Sequence, residues 1–138
     1  MLSFNIEGFH RNKHYLKNLI RQVDVNILFL QELWLPYHDK KLMEKYLPNF
    51  CFNIATPDMF QHNEDKLMNS GPVWHGCAVG WHKDLSSNIT LLDSHHERIV
   101  GIKYVLNNHS LLLISVYAPP SGRSEPEGLE HRLPNLSS

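Results

Sequence analysis

The chain has 138 residues, is 42% hydrophobic and 20% charged, and carries 13 Lys and Arg against 14 Asp and Glu, which fits one ordinary globular domain and excludes two full-sized ones. A net charge of −1 with neutral histidines gives no bulk attraction to nucleic acid or to an anionic membrane, so any such binding has to come from a local patch. The longest apolar stretches, Val25 to Leu30 and Leu111 to Val116, fall far below the roughly 20 residues of a membrane helix, which excludes a transmembrane reading.

Leu2, Phe4 and Ile6 alternate with Ser3, Asn5 and Glu7, the period-two pattern of a strand with one apolar face, and Gly8 ends it. From Arg11 to Val23, the residues Tyr15, Leu16, Leu19, Ile20 and Val23 keep helical spacing while Lys13, Lys17 and Arg21 recur on another face. This predicts an amphipathic helix. Val25 to Leu30 is nearly continuously apolar and too short for a second helix, so it predicts a strand covered on both faces that stops at Gln31 and Glu32. A strand-helix-strand crossover within one sheet makes the two strands parallel and brings their carboxyl ends to one edge. Asn5 and Glu7 are therefore expected beside Gln31 and Glu32, at the kind of edge where α/β sheets gather ligands.

Asp39 to Tyr46 predicts a short helix stopped at Leu47-Pro48-Asn49, and Phe50 to Ile54 a strand. Thr56 to Pro72 has no sustained periodicity and predicts a long surface loop. Strands follow at Gly76 to Trp81, Ile89 to Leu92, Arg98 to Leu106 and Leu111 to Ala118, the last two joined by a hairpin turn at Asn107-Asn108. On the final strand Leu112, Ile114 and Val116 share a face while Ser115 and Tyr117 lie on the other, which leaves Tyr117 outside the obvious core. At Pro119 the composition changes abruptly; a domain at 1–118 followed by a disordered tail at 119–138 is expected.

Standard local motifs are absent: there is no Walker A, no G-x-G-x-x-G, no G-x-S-x-G, no H-E-x-x-H and no C-x-x-C. The ten histidines, among them His75, His82, His95 and His96, match no zinc-module spacing and read as scattered surface or half-buried residues. Two cysteines, Cys51 and Cys77, cannot make a disulfide scaffold, and Met1 to Glu7 has no basic segment leading into an apolar run. The expectation is a cytoplasmic or nuclear protein with no membrane partner.

Four pieces of sequence nevertheless occur in a telling order: Ser3-Phe4-Asn5-Ile6-Glu7-Gly8, Ile27-Leu28-Phe29-Leu30-Gln31-Glu32, Gly76-Cys77-Ala78-Val79-Gly80-Trp81 and Val116-Tyr117-Ala118-Pro119. Together they resemble the first part of an endonuclease/exonuclease/phosphatase domain. Leu30-Gln31-Glu32-Leu33-Trp34-Leu35 and Val116-Tyr117-Ala118-Pro119 are most similar to the endonuclease domains of non-LTR retrotransposons. The resemblance implies an α/β fold, the N-terminal half of a two-sheet, four-layer α/β sandwich that hydrolyses phosphodiesters with Mg²⁺, or with Mn²⁺ in its place. It also implies Glu32 as carboxylate ligand of the metal, Asn5 as a group that positions the phosphate and its catalytic neighbours, Tyr117 as a hydrogen-bond partner of the scissile phosphate, and DNA as the ancestral substrate. One glutamate suits that role, because Mg²⁺ takes one or two carboxylates together with phosphate oxygens and waters.

Each of these residues also has a plainer reading: Glu32 opens a solvated loop, Asn5 caps a strand end, and Tyr117 is a half-buried aromatic sealing the sheet. Arg98 resembles the arginine or polar residue of the family at a strand start, and its plainer reading is a solvated strand-end charge. The family's later motifs, an Asp-x-Asn, a further acid and a terminal Asp-His pair, do not follow. After Tyr117 the sequence holds no aspartate, and its carboxylate side chains are Glu125, Glu127 and Glu130. Without the general base and the histidine that stabilises the transition state, a truncated domain inactive by itself is expected. It would leave an apolar sheet face uncovered, for a second chain to complete. The alternative is a non-catalytic nucleic-acid or protein binding module acting through Lys13, Lys17 and Arg21, a row that is otherwise the wet side of its helix.

Overall fold

The computed structural model describes residues 1–60 and 75–118. The opening crossover is present: β1 (Leu2–Asn5), α1 (Phe9–Gln22) and β2 (Ile27–Gln31), with β1 and β2 parallel and Asn5 opposite Gln31. After α2 (Lys40–Tyr46) come β3 (Phe50–Ala55), β4 (Cys77–His82), β5 (Ile89–Leu91), β6 (Ile99–Leu106) and β7 (His109–Val116). The first sheet has the order β1-β2-β4-β3, with β4 antiparallel to both neighbours; the second is an antiparallel β5-β6-β7 meander. Most of the expected loop at Thr56 to Pro72 and all of the expected tail lie outside the described residues.

β2 shows why a continuous apolar run forms a central strand. Leu28 and Leu30 point into the core beneath the helices, with Phe9, Leu16, Met43 and Phe52. Ile27 and Phe29, one residue out of phase, pack between the two sheets with Val79, Trp81, Val100 and Ile102. Alternate residues on a pleated strand thus serve two separate cores. Gly80 on β4 makes room for this packing, since a Cβ there would lie 2.6 Å from Cε1 of Phe52.

Asn107 and Asn108 both adopt positive φ, 51° and 67°, and Leu106 pairs with His109. This is the tight two-residue turn that the Asn-Asn dipeptide favours, because asparagine tolerates left-handed backbone.

β7 corrects the expectation for Tyr117. The alternation is as expected, but the buried side is the polar one: Ser115 and Tyr117 are 1% and 5% exposed, while Leu112, Ile114 and Val116 stand in solvent. Burial of the polar side is possible because its groups find partners across the seam, as Gln31 Nε2 donates to Ser115 Oγ (3.0 Å) and Ser115 Oγ donates to the Leu30 carbonyl (3.2 Å). With Ile99, which pairs with Val116, the aliphatic side of β7 makes an apolar outer face on the second sheet. No helix among the described residues is long and apolar enough to cross a membrane.

Candidate active site

The parallel pairing of β1 and β2 continues past the strand ends. Ile6 N donates to the Gln31 carbonyl (3.0 Å), Gly8 N to the Glu32 carbonyl (2.8 Å) and Phe9 N to the Leu33 carbonyl (2.8 Å). From the other side, Leu33 N donates to the Gly76 carbonyl at 3.1 Å. Held between these bonds, Glu7 and Glu32 take left-handed backbone with φ of 48° and 56°, a conformation costing on the order of 1–3 kcal/mol for a residue other than glycine. Gly8 is required where it stands: its φ is 99°, and a Cβ would sit 2.7 Å from Cε3 of Trp34.

Glu32 is buried, 5% exposed, and accepts a hydrogen bond from the Tyr117 hydroxyl at 3.3 Å. Tyr117 comes from the second sheet, where its backbone N donates to the Arg98 carbonyl (2.9 Å) and its ring lies 5.9 Å from that of His75. A cavity of about 380 Å³ opens beside this pair and is lined by Ser3, Asn5, Glu7, Gln31, Glu32 and Tyr117, with Val116 and Ala118. The three residues nominated from the sequence, Asn5, Glu32 and Tyr117, therefore meet on one cavity. Glu7 and Gln31 join them; strand alternation put Glu7 on the same face as Asn5, and the crossover put Gln31 opposite, but nothing local in the sequence gave either a role.

Below the cavity Cys77 is fully buried, its thiol facing the carbonyls of Glu97 (3.7 Å) and Ser115 (3.8 Å). Loss of hydration on burial, reinforced by the Glu97 charge, pushes this thiol up to about 12. It stays protonated at neutral pH and is no nucleophile there. Arg98 is not the freely solvated charge its strand-end position suggested: it is half-buried, and its Nε is shielded from water with no hydrogen-bond partner among the described residues. Two of the histidines serve local turns, since His82 Nδ1 accepts from Asp84 N and His96 Nδ1 from Arg98 N, each at 3.2 Å. Among the described residues no three or more His, Cys, Asp or Glu side chains converge to hold a metal ion. Lys13 and Lys17 take no part in the cavity and pack instead on Tyr46.

Residues 2–133 match the endonuclease/exonuclease/phosphatase family. The chain belongs to that family. Endonuclease/exonuclease/phosphatase proteins generally use divalent metal ions. The fold is similar to that of the AP endonuclease LMAP from Leishmania major in its crystal structure, with a TM-score of 0.62 and 14% sequence identity. That likeness covers 96% of this chain but 42% of the Leishmania chain, so the family fold is represented here in part. No curated protein matches the chain.

Proposed function

We propose that these residues form one half of a divalent-metal-dependent phosphodiester-hydrolysing site, of the retrotransposon endonuclease type and with DNA as its substrate. The observation that carries this reading is the meeting of Asn5, Glu7, Glu32 and Tyr117 on one cavity at the carboxyl ends of two parallel strands. Ligands collect at that edge in α/β sheets. Glu32 and Glu7 offer hard oxygen donors, and a pair of carboxylates with room for phosphate oxygens and waters suits Mg²⁺, or Mn²⁺ in its place. A bound ion supplies charge stabilisation at the phosphoryl and leaving oxygens.

The chain's own residues supply the rest of the half-site. Tyr117 donates its hydroxyl proton to Glu32 and can turn that donor to a phosphate oxygen when substrate enters. Asn5, exposed at the rim, carries an amide that can both donate and accept. Among the described residues the cavity lining holds neither aspartate nor histidine, so the base that activates water comes from outside this set, as from a second chain that completes the sandwich. The 138-residue chain alone binds metal without turnover.

Two measurements test this. Supercoiled plasmid incubated with the chain and Mg²⁺ is expected to stay intact; nicking that disappears in Glu32→Gln would show a complete site and overturn the half-site reading. Mn²⁺ binding followed by electron paramagnetic resonance is expected for the native chain and lost in Glu32→Gln. Equal binding by both proteins would remove Glu32 as the ligand.

A further inference from the structure

The charges of this chain are sharply segregated. α1 and α2 together carry seven Lys and Arg against the single acid Glu44, although the whole chain has 13 Lys and Arg and a net charge of −1. More than half of the cations thus sit on two helices, and the rest of the molecule is correspondingly acidic. Among the described residues every ion pair uses a histidine as its cation, so the helical lysines and arginines are not neutralised there. Glu44 does not quench them, because its carboxylate accepts from Phe52 N at 3.1 Å on the sheet side. Asp39 faces His10 (3.4 Å) and His38 (3.2 Å).

The cations are also organised. The ammonium groups of Lys13 and Lys17 lie 5.0 and 4.6 Å from the ring centre of Tyr46, within the range of cation–π attraction, and the Tyr46 hydroxyl is 2.6 Å from His14 Nδ1. One aromatic ring therefore fixes two ammonium groups side by side. A shallow groove of about 330 Å³ runs beside them, with Lys45 and His10 on its walls. Lys13, Lys17 and Arg21 recur every four residues, about 6 Å apart along the helix axis, a ladder that follows a chain of phosphates better than a single anion.

We propose that this helical layer, centred on Tyr46, is a binding surface for the phosphate backbone of a nucleic acid, separate from the Glu32 cavity. It stands independently of the hydrolytic reading, since no residue of the cavity takes part. A nucleic acid is favoured over an anionic membrane because interfacial helices insert an apolar face, and that face of α1, with Phe9 and Leu16, is already buried against the sheet.

The test is fluorescence anisotropy of a labelled oligonucleotide titrated with the full chain at several salt concentrations, comparing two double variants that remove equal charge. Lys13→Gln/Lys17→Gln is expected to weaken binding about tenfold or more at low salt and to flatten the log–log salt dependence by roughly 1.4 to 1.8, the release from two phosphates. Lys83→Gln/Lys103→Gln, at exposed positions outside α1 and α2, is expected to stay within about twofold of the native chain. Lys13→Arg/Lys17→Arg keeps the charge and restores binding, which separates a lost contact from a lost fold. Equal weakening by both glutamine pairs, unchanged binding in the first, or binding to phosphatidylserine vesicles in place of the oligonucleotide would each overturn the proposal.

Discussion

Leu28 on β2 and Leu112 on β7 are both leucines in the interior of a strand, yet Leu28 is fully buried and Leu112 is 61% exposed. The contrast extends to their sheets. The first sheet is covered on one face by α1 and α2 and on the other by the second sheet, so its strands contribute to two cores. In the second sheet the inner face around Val100 and Ile102 is sealed, while Ile99, Leu112, Ile114 and Val116 on the outer face lie exposed. Strands with aliphatic residues on an outer face are built to be covered. The candidate site spans both regions, because Glu32 follows β2 and Tyr117 follows β7. Its geometry therefore depends on how firmly the less covered sheet docks on the fully covered one.

The comparison predicts a graded response to substitution. Phe52→Ala, in the helix-covered core, is expected to cost about 3–5 kcal/mol, read as a large drop in the midpoint of chemical denaturation. The seam between the sheets is expected to report through Cys77. Its folded-state thiol is raised from 9.0 to about 12 by burial and by Glu97, so the stabilisation is complete below pH about 9 and is lost as pH rises toward about 12. The slope approaches about 1.4 kcal/mol per pH unit, and Cys77→Ala should remove that component from the alkaline stability profile. An unchanged profile in the variant would mean that the seam is wetter than its packing indicates.

Smaller effects follow at the edge of the seam and outside it. Ser115→Ala removes the acceptor of Gln31 and the donor to Leu30 and is expected to cost about 1–3 kcal/mol. A cost near zero in an unfolding titration would show that this polar link does not hold the sheets together. Leu112→Lys, on the bare face, is expected to change stability by less than about 0.5 kcal/mol while raising the protein concentration at which light scattering appears. A loss comparable to that of Phe52→Ala would mean that something covers the outer face after all.

The opening β1-α1-β2 unit was legible from the sequence because its strands and helix have distinct periods and the crossover fixes their relative direction. That geometry by itself also brings Asn5, Glu7, Gln31 and Glu32 to one edge. The Asn107-Asn108 turn was legible for a comparable reason, since the dipeptide suits positive φ. The buried side of β7 was not. Aliphatic alternation marks a face but does not say which face meets the neighbouring sheet, and here hydrogen bonds from Ser115 and Tyr117 to residues some 85 positions earlier bind the polar side inward. The left-handed backbone at Glu32 was equally hidden, because it is imposed by bonds from Gly8 and to Gly76 across the sheet and not by the residue itself.

Thermal unfolding of the 138-residue chain and of Glu32→Gln, each with and without Mg²⁺, reads out whether Glu32 holds a metal ion in the folded state. A ligand that binds the folded state raises its stability by RT ln(1 + [L]/Kd). A cooperative transition is expected whose midpoint rises with Mg²⁺ in the native chain and does not move in Glu32→Gln. A midpoint that ignores Mg²⁺ in the native chain, or rises equally in both proteins, would contradict it.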